Sequence, residues 1–170
     1  MTKVTTPQLD PRIAMHIAGF DPRTGAPIEM TAARHSELTS TWPTTTATPE
    51  GIAAQLTLTR DLYAHGAYVY EFLTVAAHYA LLVLEAALGT RLAVRGKGMQ
   101  DLIKKAHQQD LIDNDEKERL DEGARKLRNG FSHPTAEPTI FNPAMAAGII
   151  RASHDLVAKL YPDQERSSPV

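Results

Sequence analysis

Toward the C-terminal end of the chain stands Leu127-Arg128-Asn129-Gly130-Phe131-Ser132-His133-Pro134, which brings a guanidinium, a carboxamide and an imidazole close together in sequence. An arginine fork grips a phosphodiester through paired charge-assisted hydrogen bonds, and a histidine that titrates near neutrality can move a proton there. On an unbroken α-helix, residues five apart diverge by about 140°, so Arg128 and His133 would face different sides. Gly130 permits an irregular backbone, and Pro134 pushes His133 out of the α region. The helix is therefore expected to turn over Gly130 to His133 and carry the imidazole back toward the guanidinium. The competing reading is a simple helix C-cap, because cations at that end complement the dipole and bond the last carbonyls. Ser132 beside His133 is not read as a hydrolase pair. Adjacent residues rarely orient for proton transfer, and no G-x-S-x-G elbow is present.

Other polar residues carry weaker signals. Glu71, His78 and Glu85 recur every seven residues within the apolar run Ala67 to Leu88. On a helix of 3.6 residues per turn they drift by only about 20° per step and form one seam, facing either water or a cleft. The run is long enough to cross a bilayer, but these three residues argue instead for a central helix of a bundle, so no membrane partner is expected. His16, His35, His65, His107 and His154 lack metal-ligand spacing, and the chain has no cysteine, so neither a metal nor a cofactor is expected. Arg95-Gly96-Lys97-Gly98 lacks the spacing and the Ser/Thr ending of a phosphate-binding P-loop and reads as a connector. Trp42, Tyr68 and Tyr70 read as core residues before base-stacking ones. A formal charge of −2 argues against a protein that coats nucleic acid non-specifically, while leaving room for a small basic site.

The elements that must position these groups are helical. With 170 residues, one domain with an extension is expected. Residues 1–48 hold five prolines and a Thr-rich run with no sustained helical period, and they read as an irregular arm. Within the arm, Asp21-Pro22-Arg23-Thr24-Gly25 is suited to close a short hairpin. Thr48-Pro49-Glu50 offers an N-cap and a first-turn proline, with Gly66 ending or kinking the helix that follows. Gly89 and the Gly96/Gly98 loop are expected to break the apolar run before Met99, Leu102, Ile103 and Ala106 start a further helix. Asp113 and Glu116 resemble a capping box, followed by the stripe Leu120, Ala124, Leu127 and Phe131. Asn142-Pro143 should cap a last helix that Pro162 ends, leaving residues 163–170 as a flexible tail. The expected fold is all-α: an antiparallel four-to-five-helix bundle over residues 49–162 with an irregular N-terminal extension. The polar N-terminus, without an apolar h-region, makes a cytoplasmic protein the expectation.

Arg128-Asn129-x-x-x-His133, closing the penultimate helix of such a chain, resembles the R-x4-6-H signature of HEPN domains. Leu82-Val83-Leu84-Glu85-Ala86-Ala87-Leu88 likewise resembles that family's second helix, where a glutamate within an apolar run is frequent. The resemblance spans roughly residues 50–161. It implies a homodimer whose two motifs face each other across a cleft and cut RNA without a metal, in a bacterial toxin, abortive-infection or phage-defence setting. It further implies His133 as general base or acid, Arg128 as stabiliser of the charged transition state, and Asn129 as the group orienting phosphate or histidine. Glu85 and His78 would line the cleft and, with Lys126, contact substrate. An antitoxin or defence-complex partner is a further expectation. Thr135 stands where the tyrosine of nucleotidyltransferase-modified members would be, so that particular partner is not expected. The alternative within the family is a non-catalytic module that binds nucleotide or RNA or serves as a scaffold. Outside it, an unrelated four-helix interaction module remains.

Overall fold

A computed structural model of the chain describes residues 7–124, 127 and 140–163. The fold is mostly helical with a small two-stranded sheet. The order is α1 (Pro11–Ala14), β1 (Ile17–Phe20), β2 (Pro27–Glu29), α2 (Ala32–Ser40), α3 (Glu50–His65), α4 (Glu71–Arg91), α5 (Met99–Gln108) and α6 (Asn114–Arg119). A π-helical segment, Leu120–Ala124, continues α6, and α7 (Pro143–Leu160) closes the described chain.

α4 is the central element and packs against α3, α5 and α7. By length and composition it could span a membrane, yet half of its apolar stretch is buried inside the protein. Its nine buried residues, among them Leu73, Ala77, Leu84 and Leu88, are spread around most of the helix, as burial by several neighbours requires. The turn from α3 into α4 demands glycine at position 66. A Cβ there would lie 2.5 Å from Leu73 Cδ2 and 2.8 Å from the Tyr63 carbonyl oxygen.

Local signals account for several boundaries. Asp113 accepts from the Glu116 amide while the Glu116 carboxylate accepts from the Asp113 amide, each at 2.8 Å, so the reciprocal capping box forms in full. Asn142 Oδ1 accepts from the Met145 amide at 2.9 Å and Pro143 occupies the first turn of α7. In the hairpin, Asp21 accepts from the amides of Arg23 and Thr24, and Gly25 adopts the left-handed φ of 68° that the turn needs.

Other boundaries differ from the sequence reading. Thr48 does not cap α3. Its hydroxyl pairs with that of Thr45 at 2.8 Å, and the Pro49 carbonyl opens the helix instead. The central helix begins at Glu71 rather than near Ala67, because Gly66 to Tyr70 are used in the turn. Gly89 does not break it. The helix runs on to Arg91 and stops where Ala93 turns left-handed (φ 52°), and the Val94 amide returns to the Gly89 carbonyl at 2.9 Å. After α6 the backbone widens into the π segment, so Leu120, Ala124 and Leu127 are not successive points on one regular α-helix. Phe131 lies outside the described residues.

The arm is also more ordered than its prolines suggested. It carries α2, capped by Thr31, whose hydroxyl accepts from the Arg34 amide. It contributes Ile13, Met30 and Trp42 to the buried core.

Candidate functional site

Of the residues singled out for chemistry, Arg128, Asn129, His133 and Lys126 lie outside the described residues. The described chain leads into that segment through the π turn and Leu127 and out of it through Ile140, Phe141 and the cap of α7. A π turn inserts an extra residue into a helical circuit at a cost in hydrogen-bond geometry. Such turns occur frequently at functional sites. Phe141, buried and near the point where the described chain resumes, donates its amide to Thr74 Oγ1 on α4 at 2.9 Å.

The seam of α4 divides into two environments. Glu71 is tied to the arm: Arg12 Nη1 donates to Glu71 Oε1 at 2.8 Å while Arg12 Nη2 donates to Asp10 Oδ2 at 2.8 Å. The Arg12 guanidinium also stands 4.4 Å from the Tyr70 ring centroid. The Arg12 hydrogen bonds pull the Asp10 carboxyl down to about 2 and hold Glu71 below its ordinary value. Glu71 is thus an anchor for the arm rather than a cleft residue. His78 and Glu85 are half-buried one and two heptads further along. Glu85 lines a cleft of about 280 Å³ together with Gly89, Val94, Gly96, Lys97 and Leu102. The structure therefore brings Glu85 to the Gly96-Lys97 loop, leaves His78 two helical turns away, and places Glu71 with the arm.

A second polar cluster gave no sequence signal. His35, on α2, is fully buried and stacks on Tyr63 with ring centroids 4.2 Å apart, its Nε2 donating to the Tyr63 carbonyl at 2.8 Å. His154, on α7, is also fully buried. Its Nδ1 donates to the Pro43 carbonyl at 2.9 Å, and its Nε2 lies 3.1 Å from the Thr59 hydroxyl. Trp42 packs edge-on against Tyr63 and lies beside His154. Arg60 donates to the Trp42 carbonyl and to Thr44 Oγ1. Burial pushes His154 down to about 4 and lowers His35, so both rings are neutral at pH 7. The cluster joins the arm to α3 and α7, and its chemistry is that of a structural clasp. Isolated histidines with no metal spacing could not have revealed it, because their partners lie far away in sequence. Among the described residues, no group of three His, Asp or Glu side chains is placed to hold a metal ion.

Comparison of the chain with protein-family models, with curated proteins and with solved structures finds no match.

Proposed function

We propose that the chain is a metal-independent endoribonuclease of the HEPN type, working as a homodimer in a bacterial toxin or phage-defence system in the cytoplasm. The observation that carries this reading is the sequence Arg128-Asn129-x-x-x-His133-Pro134, which stands between the α6/π segment and the final helix of a mostly helical chain. In this reading α3, α4, the α6/π segment and α7 make up a HEPN-like bundle, and two copies set their motifs across one cleft.

The chemistry follows from the residue types. His133 of one copy takes the proton of a ribose 2'-hydroxyl, whose oxygen attacks the adjacent phosphorus. The P–O5' bond breaks as the leaving oxygen gains a proton from the second histidine, giving a 2',3'-cyclic phosphate and a 5'-hydroxyl. Arg128 stabilises the extra charge on the phosphorane-like transition state, and Asn129 orients the phosphate or the imidazole. Glu85 and His78, half-buried on α4, and Lys126 beside the motif are the proposed substrate-side residues.

The test is cleavage of total RNA and tRNA in EDTA by wild type beside His133→Ala, with the product ends analysed. His133→Ala removes the base and the acid from the two copies together, so the rate should fall by at least the roughly 10²–10⁴-fold expected for one general acid–base group. Cyclic-phosphate ends formed by wild type alone support the reading. Equal inactivity in two folded, dimeric proteins shifts it to the non-catalytic RNA- or nucleotide-binding module.

A further inference from the structure

The charges of the chain are unevenly placed. Residues 91–108, which close α4, form the loop Arg95-Gly96-Lys97-Gly98 and continue as α5, carry five cations and one carboxylate, Asp101. Their net charge of +4 leaves −6 on the rest of a chain whose total is −2. Arg91, Arg95, Lys97 and Lys104 are exposed, and Lys105 is half-buried. Among the described residues, none of these five has a carboxylate within 4 Å, whereas Arg12, Lys117, Arg151 and Lys159 each have one. With no internal carboxylate to neutralise them, the five keep their field and their hydrogen-bond donors for a partner.

The backbone gathers these cations into a strip. Ala93 and Gly96 turn left-handed, with φ of 52° and 68°, and lead the chain from the end of α4 into α5, which packs against it. Met99, Leu102, Ile103 and Ala106 face the core, which leaves Lys104 and Lys105 toward the solvent side of α5. Lys97 lines the cleft of about 280 Å³ that also holds Glu85 and Leu102. Lys105 follows Leu102 by three residues and so lies on the same side of the helix. From Lys97 to Lys105 the strip extends for about 12 Å, with Arg91 at its border. What the strip lacks selects the partner. No large apolar side chain is exposed on α5 or in the loop before it. A protein interface is anchored by buried aromatic or apolar residues, and a membrane-surface helix needs an apolar face, whereas a phosphodiester backbone needs only spaced cations. The exposed carboxamides of Gln100, Gln108 and Gln109 add donors suited to phosphate and sugar oxygens.

We propose that the α4–α5 loop and the solvent side of α5 form a platform for the RNA backbone, which holds a strand by its phosphates and passes it along the Glu85 cleft beside Lys97. Naming RNA as the polyanion rests on the ribonuclease reading; the charge and its placement do not. With no aromatic residue between Arg91 and Asp110, the platform stacks no bases and reads no sequence.

The probe is a fluorescent, unstructured RNA of about 15 nucleotides, titrated by anisotropy into full-length His133→Ala, which under the ribonuclease reading leaves the strand intact. Saturable binding is expected, with log K falling against log salt at a slope of about −3. Each phosphate contact on a single strand contributes about −0.7, and Arg95, Lys97, Lys104 and Lys105 supply four. Lys104→Gln with Lys105→Gln keeps good helix formers in α5, so the urea midpoint should not move, while binding weakens about tenfold and the slope shrinks by about 1.4. Arg95→Gln with Lys97→Gln should act alike. Arg151→Gln removes a cation on α7 that is already paired with Asp155, and it should change neither affinity nor slope. No saturable binding, equal affinity in the two patch variants, or an equal loss in Arg151→Gln would overturn the proposal, as would phosphatidylglycerol vesicles that bind the patch more tightly than RNA does. The two ideas fail separately. RNA held through the patch but never cut by wild type removes the ribonuclease reading and leaves the platform. RNA cut by wild type and held equally by the patch variants removes the platform and leaves the ribonuclease.

Discussion

From Val83 to Leu92, α4 is buried among aliphatic side chains, with Leu102 and Ile103 of α5 and Leu156 and Leu160 of α7 around it. From Tyr70 to Ala80 the same helix is buried among Ile13, Trp42, Tyr63 and Phe141, beside the fully buried His35 and His154. The aliphatic end is held chiefly by burial, which is non-directional, together with a hydrogen bond from the Tyr161 hydroxyl to the Ala87 carbonyl at 2.9 Å. The aromatic end adds ring stacking and hydrogen bonds that fix where the arm sits, and it must keep two imidazoles neutral to do so. One helix thus joins a core that tolerates repacking to a core that specifies a docking geometry.

The sharpest test of the contrast compares one truncation at each end. Trp42→Ala should cost about 4 kcal/mol and Leu88→Ala about 3 kcal/mol, each in a single cooperative urea transition. A Trp42→Ala protein that loses the arm in an early, separate transition would show that the arm leans on the bundle rather than sharing its core.

The next effect is pH dependence. His154 titrates near 6.5 when unfolded and about 4 when folded, so the unfolded state binds the extra proton between those values. Its contribution is fully present above pH 6.5 and is lost as pH falls toward 4, amounting to about 3 kcal/mol. His35, lowered by the same burial, acts in the same direction. Urea midpoints measured across this range should keep that slope in Leu88→Ala and lose most of it in His154→Leu. An unchanged slope in His154→Leu would place the proton uptake elsewhere.

The smallest effect belongs to the start of α7, where Asn142 caps the helix and the Tyr63 hydroxyl donates to the Pro143 carbonyl at 3.2 Å. Asn142→Ala should cost about 1 kcal/mol, with faster amide exchange confined to the first turn of α7.

How much of this was legible depended on the range of the interaction involved. The capping box at Asp113, the N-cap at Asn142, the turn at Asp21 to Gly25, and the apolar course of α4 are written in residues a few positions apart, and side-chain chemistry alone determines them. α2 was missed because Ala32–Ser40 has no clear apolar stripe, its buried contact with the rest of the protein being His35. The partner of Glu71 was hidden for a similar reason. Heptad spacing puts it on a line with His78 and Glu85, but its ion pair with Arg12 comes from a distant part of the chain.

By itself, the sequence determined a mostly helical chain, its principal caps and the Arg128-Asn129-x-x-x-His133 arrangement, because these depend on local backbone preference and on residue type. Only the tertiary structure decided that the arm enters the core, that two histidines are buried and neutral, and that a groove opens between the π segment and α7. Each of these arises where segments distant in sequence meet, as Trp42 and Pro43 meet His154, and burial, pKa and cavity shape exist only once those segments are in contact.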